Sequence, residues 1–532
     1  MRCHSVVAGL RRRGHEVHVL TSSYHGSNPA TSDKHVTRAL QLTWGPPYPA
    51  EDLPGWLLGE AVDRLSLQTV LRAVEPDVMD IWGMEFASLS LVAAGLEVGV
   101  ATHLTLEDVW WASGYQRDPL CALTSIARRL AVPMPGSIAE LCCLGLERPA
   151  RGNATWHFVS RALAQRYVEA GCENADRVRI AGIDLSPFHH QPAPSVPPPF
   201  VIVSVGQLTA ARGQADLIAA AGRLVTEDSC LTPLVVRFVG EGNATYRDQL
   251  HSLAAGLASD RLRFDFAGVQ SPERVASFYA GAHLFVHTSH LPEGLPRVLM
   301  EALAAGVPAI ATNTGGQRDI LADGRWGELL PAANITALVE AIRDAMANWS
   351  SWRNRAREAR EYALRHYDLE AYVDGHIEDL ADTIDSTPQR GGLNVAGTDA
   401  SISEIKTFTA ALGQGAERAA DSSDAASDPD LAWRLGVVLK RTGRLNTAER
   451  LLMQLYQSHS EEAVHIRRSA FHLAELAMVR EDWRVAAEFL DSCLAVAPSH
   501  EKATYDQWHV ARKRAADHLK ALRSPRLIGM RV

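Results

Sequence analysis

No run of about 18 apolar residues occurs in the chain, so nothing in it reads as a membrane-spanning helix. Cysteine is scarce and unpatterned. The seven among 532 residues form no CxxC pair and no Cys/His cluster at metal-ligand spacing. That argues against a disulfide framework, gives no metal ligand set, and fits a reducing cytosol. A surplus of positive charge is also missing. The net charge of -9 argues against a nucleic-acid-binding surface. The N-terminus lacks the apolar core of a signal peptide, so the expected location is cytoplasmic. Arg11-Arg12-Arg13, after Val6–Leu10, could touch anionic lipid as a peripheral site at the inner face of a membrane. The competing reading is a solvated helix end whose cations offset the macrodipole.

At this length three or four domains are expected. Residues 1–190 alternate strand and helix patterns. Strands are expected at Glu16–Thr21, Pro76–Trp82, Val98–Thr105 and Thr155–Ser160, with helices such as Val6–Arg13, Glu60–Val74 and Ser160–Ala170. That alternation indicates a doubly wound parallel sheet. The proline-rich stretch 191–199 reads as a stiff linker. A second alternation fills 200–350, with strands at Phe200–Val205, Leu234–Val239 and Leu262–Phe266, and helical sequence continues over 351–384. The composition then shifts to Ser, Asp, Gly and Ala over 385–429, read as a flexible linker with one helix over 401–413. Residues 430–522 read as all-helical with an internal repeat: Ala432, Leu435, Gly436, Ala448 and Leu452 recur as Ala470, Leu473, Ala474, Ala486 and Leu490. Pro498 would close the second copy, and a final helix is expected over 502–522. This pattern resembles the tetratricopeptide repeat, with Trp433 displaced from its expected place. Asp428-Pro-Asp430 has the look of a metal-binding Asp-x-Asp, but its place before a helix favours capping.

The segment carrying most chemistry runs from Glu293 to Glu301. A loop carboxylate precedes a helix and a second lies two turns inside it, at most roughly 12 Å apart at ~1.5 Å rise per residue. Pro296 suits the first helical turn. The N–H groups of Gly294 and Leu295 lie near an uncapped helix N-terminus, which favours phosphate. Strands at His283–Thr288 and Pro308–Thr312 flank the segment, and Thr314-Gly315-Gly316 follows, completing a βαβ unit. Such units bind ligands at the carboxyl ends of their strands. A hydroxyl-rich ring at each end with phosphates between, as in a sugar nucleotide, fits the two carboxylates.

Several segments in fixed order then resemble the retaining, GT-B-fold glycosyltransferases of family 4, across residues 1–384. They are Arg11–Thr21; Val159–Ala162 with Ala181-Gly182-Ile183-Asp184 and Phe188; Val205-Gly206-Gln207-Leu208 with Arg212-Gly213; Val239–Gly242; Phe266–Val269; and Glu293–Glu301 with Gly306-Val307-Pro308 and Gly315-Gly316. The resemblance implies two facing Rossmann-like domains, with a nucleoside-diphosphate sugar held by the second. Glu301 would accept from the ribose hydroxyls, and Glu293 would hold sugar hydroxyls with the amides of Gly294 and Leu295. Gly206, Gln207 and Gly213 would line the phosphate loop, Gly268 and Val269 would border the base, and Arg212 would neutralise the leaving diphosphate. No metal and no cofactor beyond the donor is implied. The acceptor would be a saccharide or lipid-linked, and residues 430–522 would offer a surface to a protein partner.

Three places depart from the family pattern. Gln207 stands where the family has Arg, a loss of one charged bond costing roughly 1.5–3 kcal/mol, with Arg297 or Arg318 as candidate substitutes. Leu106-Glu107-Asp108 stands where the family offers a His-Asp pair, His103 lying earlier, so Glu107 and Asp108 are the catalytic candidates on the acceptor side. The family's opening strand and Gly-Gly turn have no counterpart, and a start assigned too far downstream is the expected explanation. These departures favour an alternative function, a non-catalytic nucleotide-sugar-binding or scaffold protein acting through its helical repeats.

Overall fold

The computed structural model describes residues 2–22, 35–40, 53–83, 89–108, 126–135, 154–169, 177–188, 199–228, 232–242, 244–387, 402–422, 427–458, 463–480 and 482–495, with a few isolated positions between them. In chain order it opens with α1 (Arg2–Arg12), β1 (Val19–Ser22), β2 (Val36–Leu40), α2 (Leu53–Val74), β3 (Val78–Trp82), α3 (Leu89–Val98), β4 (Ala101–Leu106), β5 (Ala154–Phe158) and α4 (Arg161–Glu169). The second alternation comprises β6 (Phe200–Val205), α5 (Gln214–Glu227), β7 (Leu234–Val239), α6 (Ala244–Leu257), β8 (Leu262–Phe266), α7 (Pro272–Ala280), β9 (Leu284–His287) and α8 (Arg297–Ala304). It continues with β10 (Ala309–Thr312), α9 (Gln317–Ile320), β11 (Glu328–Leu330), α10 (Ile335–Ala347), α11 (Trp349–His366) and α12 (Leu369–Ser386). Among the described residues there follow α13 (Ile402–Ala420), α14 (Pro429–Arg441), α15 (Leu445–Ser458), α16 (Ala463–Val479) and α17 (Trp483–Ala495). The expected α/β class with parallel sheets, followed by an all-helical region, is what the structure shows.

The chain divides into two compact units, residues 1–17, 103–109 and 155–385 in one, and 18–102, 110–154 and 386–532 in the other. The first is built on a six-stranded parallel sheet of order β11-β10-β9-β6-β7-β8. Its central strands are near-continuous apolar runs because helices cover both faces, as parallel sheets require. Ile202 of β6 pairs with Val236 of β7, and Val236 with Phe264 of β8. Ile202, Leu217, Leu224, Phe238, Val286 and Ile342 fill the core. The strand order reverses between β6 and β9, the switch point at which open α/β sheets form a ligand crevice. Helix starts follow local chemistry: Ser271 caps α7 with Pro272 behind it, and Asn334 caps α10.

Helix α12 also binds the N-terminal helix. Arg12 reaches Glu370 at 2.6 Å, and Arg13 meets Asp374 at 2.5 Å and Glu370 at 2.9 Å. Arg11 donates to the Val17 carbonyl at 2.9 Å. The basic cluster read as a membrane contact or a helix end therefore has intramolecular partners for all three cations. Among the described residues no helix is long and apolar enough to cross a membrane.

In the second unit β1 and β2 pair in parallel, and Leu40, Leu67, Leu71, Leu91 and Val98 form a small core. Its larger core joins Leu57 of α2 to the tail, through Ile405, Phe408 and Leu412 of α13, Leu435 of α14, Leu452 of α15 and Leu473 of α16. The repeat positions face inward: Ala448, Leu452, Ala470, Ala474, Ala486 and Leu490 are all fully buried. Gly436 is where two helices cross, since a Cβ there would lie 2.7 Å from Leu452 Cδ2.

Two local expectations shift. The strand expected from Val98 starts at Ala101, because Val98 still ends α3 and Gly99 makes the turn with φ 85°. The stretch read as a linker holds a helix reaching Ala420 instead of stopping at 413; Ile405, Phe408, Leu412, Ala416 and Ala420 recur at helical spacing and are buried. The capping reading of Asp428 holds, since its side chain accepts from Leu431 N at 3.0 Å. The proline-rich stretch 191–198, Pro498 and the expected helix over 502–522 lie outside the described residues.

Candidate functional site

The loops that follow β6, β7 and β8 run side by side because glycines let their backbones touch. A Cβ on Gly240 would lie 2.0 Å from the Gly206 carbonyl, and one on Gly242 would lie 1.8 Å from the Leu208 carbonyl. Gly240 N–H donates to Gly268 O at 2.9 Å, and Leu208 N–H to Glu241 O at 3.0 Å. Gly206, with φ 147°, and Gly268, with φ 67°, adopt conformations that side chains disfavour. Gln207 is exposed at the end of the first loop, and Val269 is 72% exposed at the end of the third. Gly213 takes φ 67° at the N-cap of α5, where a Cβ would lie 2.2 Å from the Thr288 carbonyl.

That close approach stitches the loop after β6 to the loop after β9. Thr288 Oγ1 donates to the Arg212 carbonyl at 3.1 Å, and His290 N–H to the Ala211 carbonyl at 2.9 Å. His290 Nε2 lies 2.6 Å from Asp216 Oδ2. Arg212 is thereby aimed at Glu293, and its guanidinium pairs with Oε1. His287, at the end of β9, reaches the same oxygen at 3.0 Å through Nε2. Burial opposes ionisation of Glu293, but His287, Arg212 and the Ser289 hydroxyl outweigh it and hold the carboxyl well below the usual range. An ionised carboxylate only accepts, so His287 Nε2 carries the proton.

The Glu293–Leu295 segment is held from both sides. Gly316 N–H donates to the Glu293 carbonyl at 2.9 Å. A Cβ on Gly315 or Gly316 would lie 2.2 Å and 2.0 Å from the carbonyls of Glu293 and Gly294. A Cβ on Gly294 would lie 1.8 Å from the Glu107 carbonyl, so the backbone at Glu107 abuts this loop. Tyr167 donates to the Asp108 carbonyl at 3.1 Å. The structure therefore brings the backbone of the two acceptor-side candidates to the site. Leu295 is buried, and Pro296 takes the N-cap position rather than the first turn, with α8 starting at Arg297.

Glu301 faces inward from α8. Tyr279, fully buried on α7, donates to Glu301 Oε2 at 3.2 Å and to the Val298 carbonyl at 2.9 Å. Burial raises the Glu301 carboxyl above its ordinary value, against the opposing pull of Arg297 and the Tyr279 hydrogen bond. Neither candidate substitute for the family's Arg is drawn toward Gln207. Arg297 lies 3.9 Å from Glu301, and Arg318 pairs with Asp323.

Chemically the arrangement offers an arginine, two carboxylates, and the N-termini of α5 and α8, neither with a side-chain cap. Arg212 Nε and the Thr209 hydroxyl are buried without a hydrogen-bond partner among the described residues. Buried polar atoms are rarely orphaned, and these two both belong to the loop after β6. Sequence reasoning missed His287, Tyr279, His290 and Asp216. The first two lie in apolar runs that read as core, and the other pair is joined only by the fold.

Residues 186–365 match the family described as glycosyl transferases group 1. The lipopolysaccharide core biosynthesis glycosyltransferase of Rhizobium meliloti is 30% identical over 183 residues, 34% of this chain and 49% of the relative. The phosphatidyl-myo-inositol mannosyltransferase of Mycobacterium leprae is 33% identical over 143 residues, 26% of this chain and 35% of the relative. These matches span half or less of the relatives' own length. Among solved structures, the sucrose-phosphate synthase from Thermosynechococcus elongatus aligns with a TM-score of 0.51 at 19% identity, covering 71% of this chain and 91% of that one. A glycosyltransferase from Rickettsia africae aligns at 0.51 and 14% identity, covering 71% and 93%. Those two likenesses show the GT-B fold expected from the sequence.

Proposed function

We propose that the protein transfers a sugar from a nucleoside-diphosphate sugar to a saccharide or lipid-linked acceptor, with retention at the anomeric carbon. The observation that carries this reading is the Arg212–Glu293 pair at the sheet's switch point, flanked by two uncapped helix N-termini and the orphaned Arg212 Nε. A diphosphate there meets oriented N–H groups and a guanidinium, the donor set that favours a leaving phosphate. Glu301 takes the ribose hydroxyls and Glu293 the sugar hydroxyls. As the bond from the anomeric carbon to the phosphate oxygen breaks, the acceptor oxygen bonds to that carbon on the same face. The acceptor's proton passes to the departing diphosphate. The relatives' names, with lipopolysaccharide core and phosphatidyl-inositol among them, support the acceptor classes. The helical repeats are read as tetratricopeptide-like and as the docking face for a protein partner.

Gln207 favours the second reading, a protein that binds the donor without turning it over. Both are tested by binding and hydrolysis of UDP-, GDP- and ADP-sugars by the full chain and by Glu301→Ala. The enzyme reading expects turnover that the variant loses. Binding without turnover selects the second reading, and absence of binding refutes both.

A further inference from the structure

Arg212 and His287 share one oxygen of Glu293. If Arg212 serves the diphosphate, as the proposed function on which this inference rests requires, it must leave that oxygen when the donor arrives. Glu293 would then be a buried carboxylate stripped of its arginine, an arrangement that is costly unless another donor stays behind. His287 is placed to stay. Its ring is 5% exposed and lies near-parallel to Phe285, with centroids 6.3 Å apart and planes at 12°. It also lines, with Thr288, Ile310, Thr312, Leu330 and Leu338, a small and mostly apolar cavity that leaves the ring little room to move. An imidazole so enclosed lacks the freedom to follow a ligand, whereas Arg212 is a long side chain on a loop, with Nε still unclaimed.

We propose that His287 is a positioning residue of the donor site: it holds Glu293 aimed and charge-compensated while Arg212 exchanges the carboxylate for the donor's diphosphate. Arg212 is then a cation stored on Glu293, and the two residues are not independent anchors. The consequence is a division by ligand part. His287 matters for the sugar, which Glu293 grips, and not for the nucleoside diphosphate, which Arg212 and the helix N-termini grip.

The test compares wild type, His287→Leu and His287→Gln in the full chain by calorimetry. The probes are UDP, GDP and ADP against the corresponding sugar nucleotides, followed by transfer or hydrolysis rates for the donor that binds best. For His287→Leu, affinity for the nucleoside diphosphate stays within about twofold. Affinity for the sugar nucleotide falls about tenfold, the scale of one charge-assisted hydrogen bond. kcat falls with it, and His287→Gln, which keeps an N–H donor, recovers most of the loss. Equal weakening of both ligands, or of neither, overturns the proposal, as does a failure of His287→Gln to recover. Should His287→Leu not fold, His287→Gln against His287→Asn carries the same comparison, the shorter side chain failing to reach Glu293. Wild type that binds the nucleoside diphosphates but shows no preference for any sugar nucleotide overturns this role and leaves the nucleotide site standing. Wild type that binds neither overturns the functional reading itself.

Discussion

Replacing Glu301 with glutamine should make the empty protein more stable and the nucleotide bind more weakly. The carboxylate sits on α8 with its side chain 18% exposed. Its nearest cation, Arg297, is half exposed and 3.9 Å away, a pair whose stabilisation is a few tenths of a kcal/mol at most. Burial raises the carboxyl above its ordinary value of 4.5, so folding disfavours its charged form relative to the unfolded chain. The sign follows. Below pH 4.5 Glu301 is protonated whether the chain is folded or not and costs nothing. As pH rises through the raised folded value the cost of the buried charge develops in full. Glutamine carries no such cost and can still accept from the Tyr279 hydroxyl. The melting temperature of Glu301→Gln should therefore exceed that of wild type at pH 8, and the gap should narrow toward pH 5.

For the ligand, two ribose hydroxyls lose a charged acceptor and keep a neutral one. At about 1 kcal/mol per bond that is about 2 kcal/mol, or roughly 30-fold in Kd. Melting curves at the two pH values and titration with UDP, GDP and ADP give both readouts. A variant that melts below wild type at pH 8, a gap independent of pH, or an unchanged nucleotide affinity would refute the reasoning.

Other outcomes follow from the same geometry. Glu293→Gln releases Arg212, so nucleoside diphosphate should bind as tightly as in wild type or tighter, while sugar transfer falls by roughly 100-fold; calorimetry and a transfer assay separate the two. Gly294→Ala places a Cβ 1.8 Å from the Glu107 carbonyl, and should lower stability by about 1–3 kcal/mol in urea unfolding, as overpacking does. In the helical tail Lys440, His472 and Glu475 meet in a partly buried cluster. Burial pushes Lys440 down and His472 down to about 4, while Glu475, despite its burial, is held ionised by Lys440 and His472. Lys440→Met leaves that carboxylate with His472 alone and should cost about 1–3 kcal/mol, most of which Lys440→Met/Glu475→Leu should restore.

Much of the second alternation could be read before folding because it is written in local signals. The strand–loop–helix–loop–strand order around Glu293, the glycines at 206, 213 and 268, and the continuous apolar runs of β6 and β7 each have a short-range physical cause. The partners of the carboxylates could not be read that way. His287 lies in a strand where alternate residues all face the interior, so its pattern matches a core histidine until the loop folds back to bring Glu293 within 3.0 Å. Tyr279 and Glu301 sit on different helices, and His290 and Asp216 are 74 residues apart. Only the second half of α13 escaped, for a different reason: the glycines, serines and aspartates around it lowered the local apolar content, although its buried positions keep helical spacing to Ala420. Tertiary burial decided that segment, and composition did not.

One core joins Leu57 on α2 to Ile405, Phe408 and Leu412 on α13 and onward into the repeats. The helices after residue 386 are therefore the far wall of the unit that contains the early strands, and not cargo towed behind a finished domain. Trimming the chain where its composition changes would open that wall and leave α2 facing water. A partner that grips the repeats would, by the same masonry, lean on the early half of the sequence through side chains already in contact.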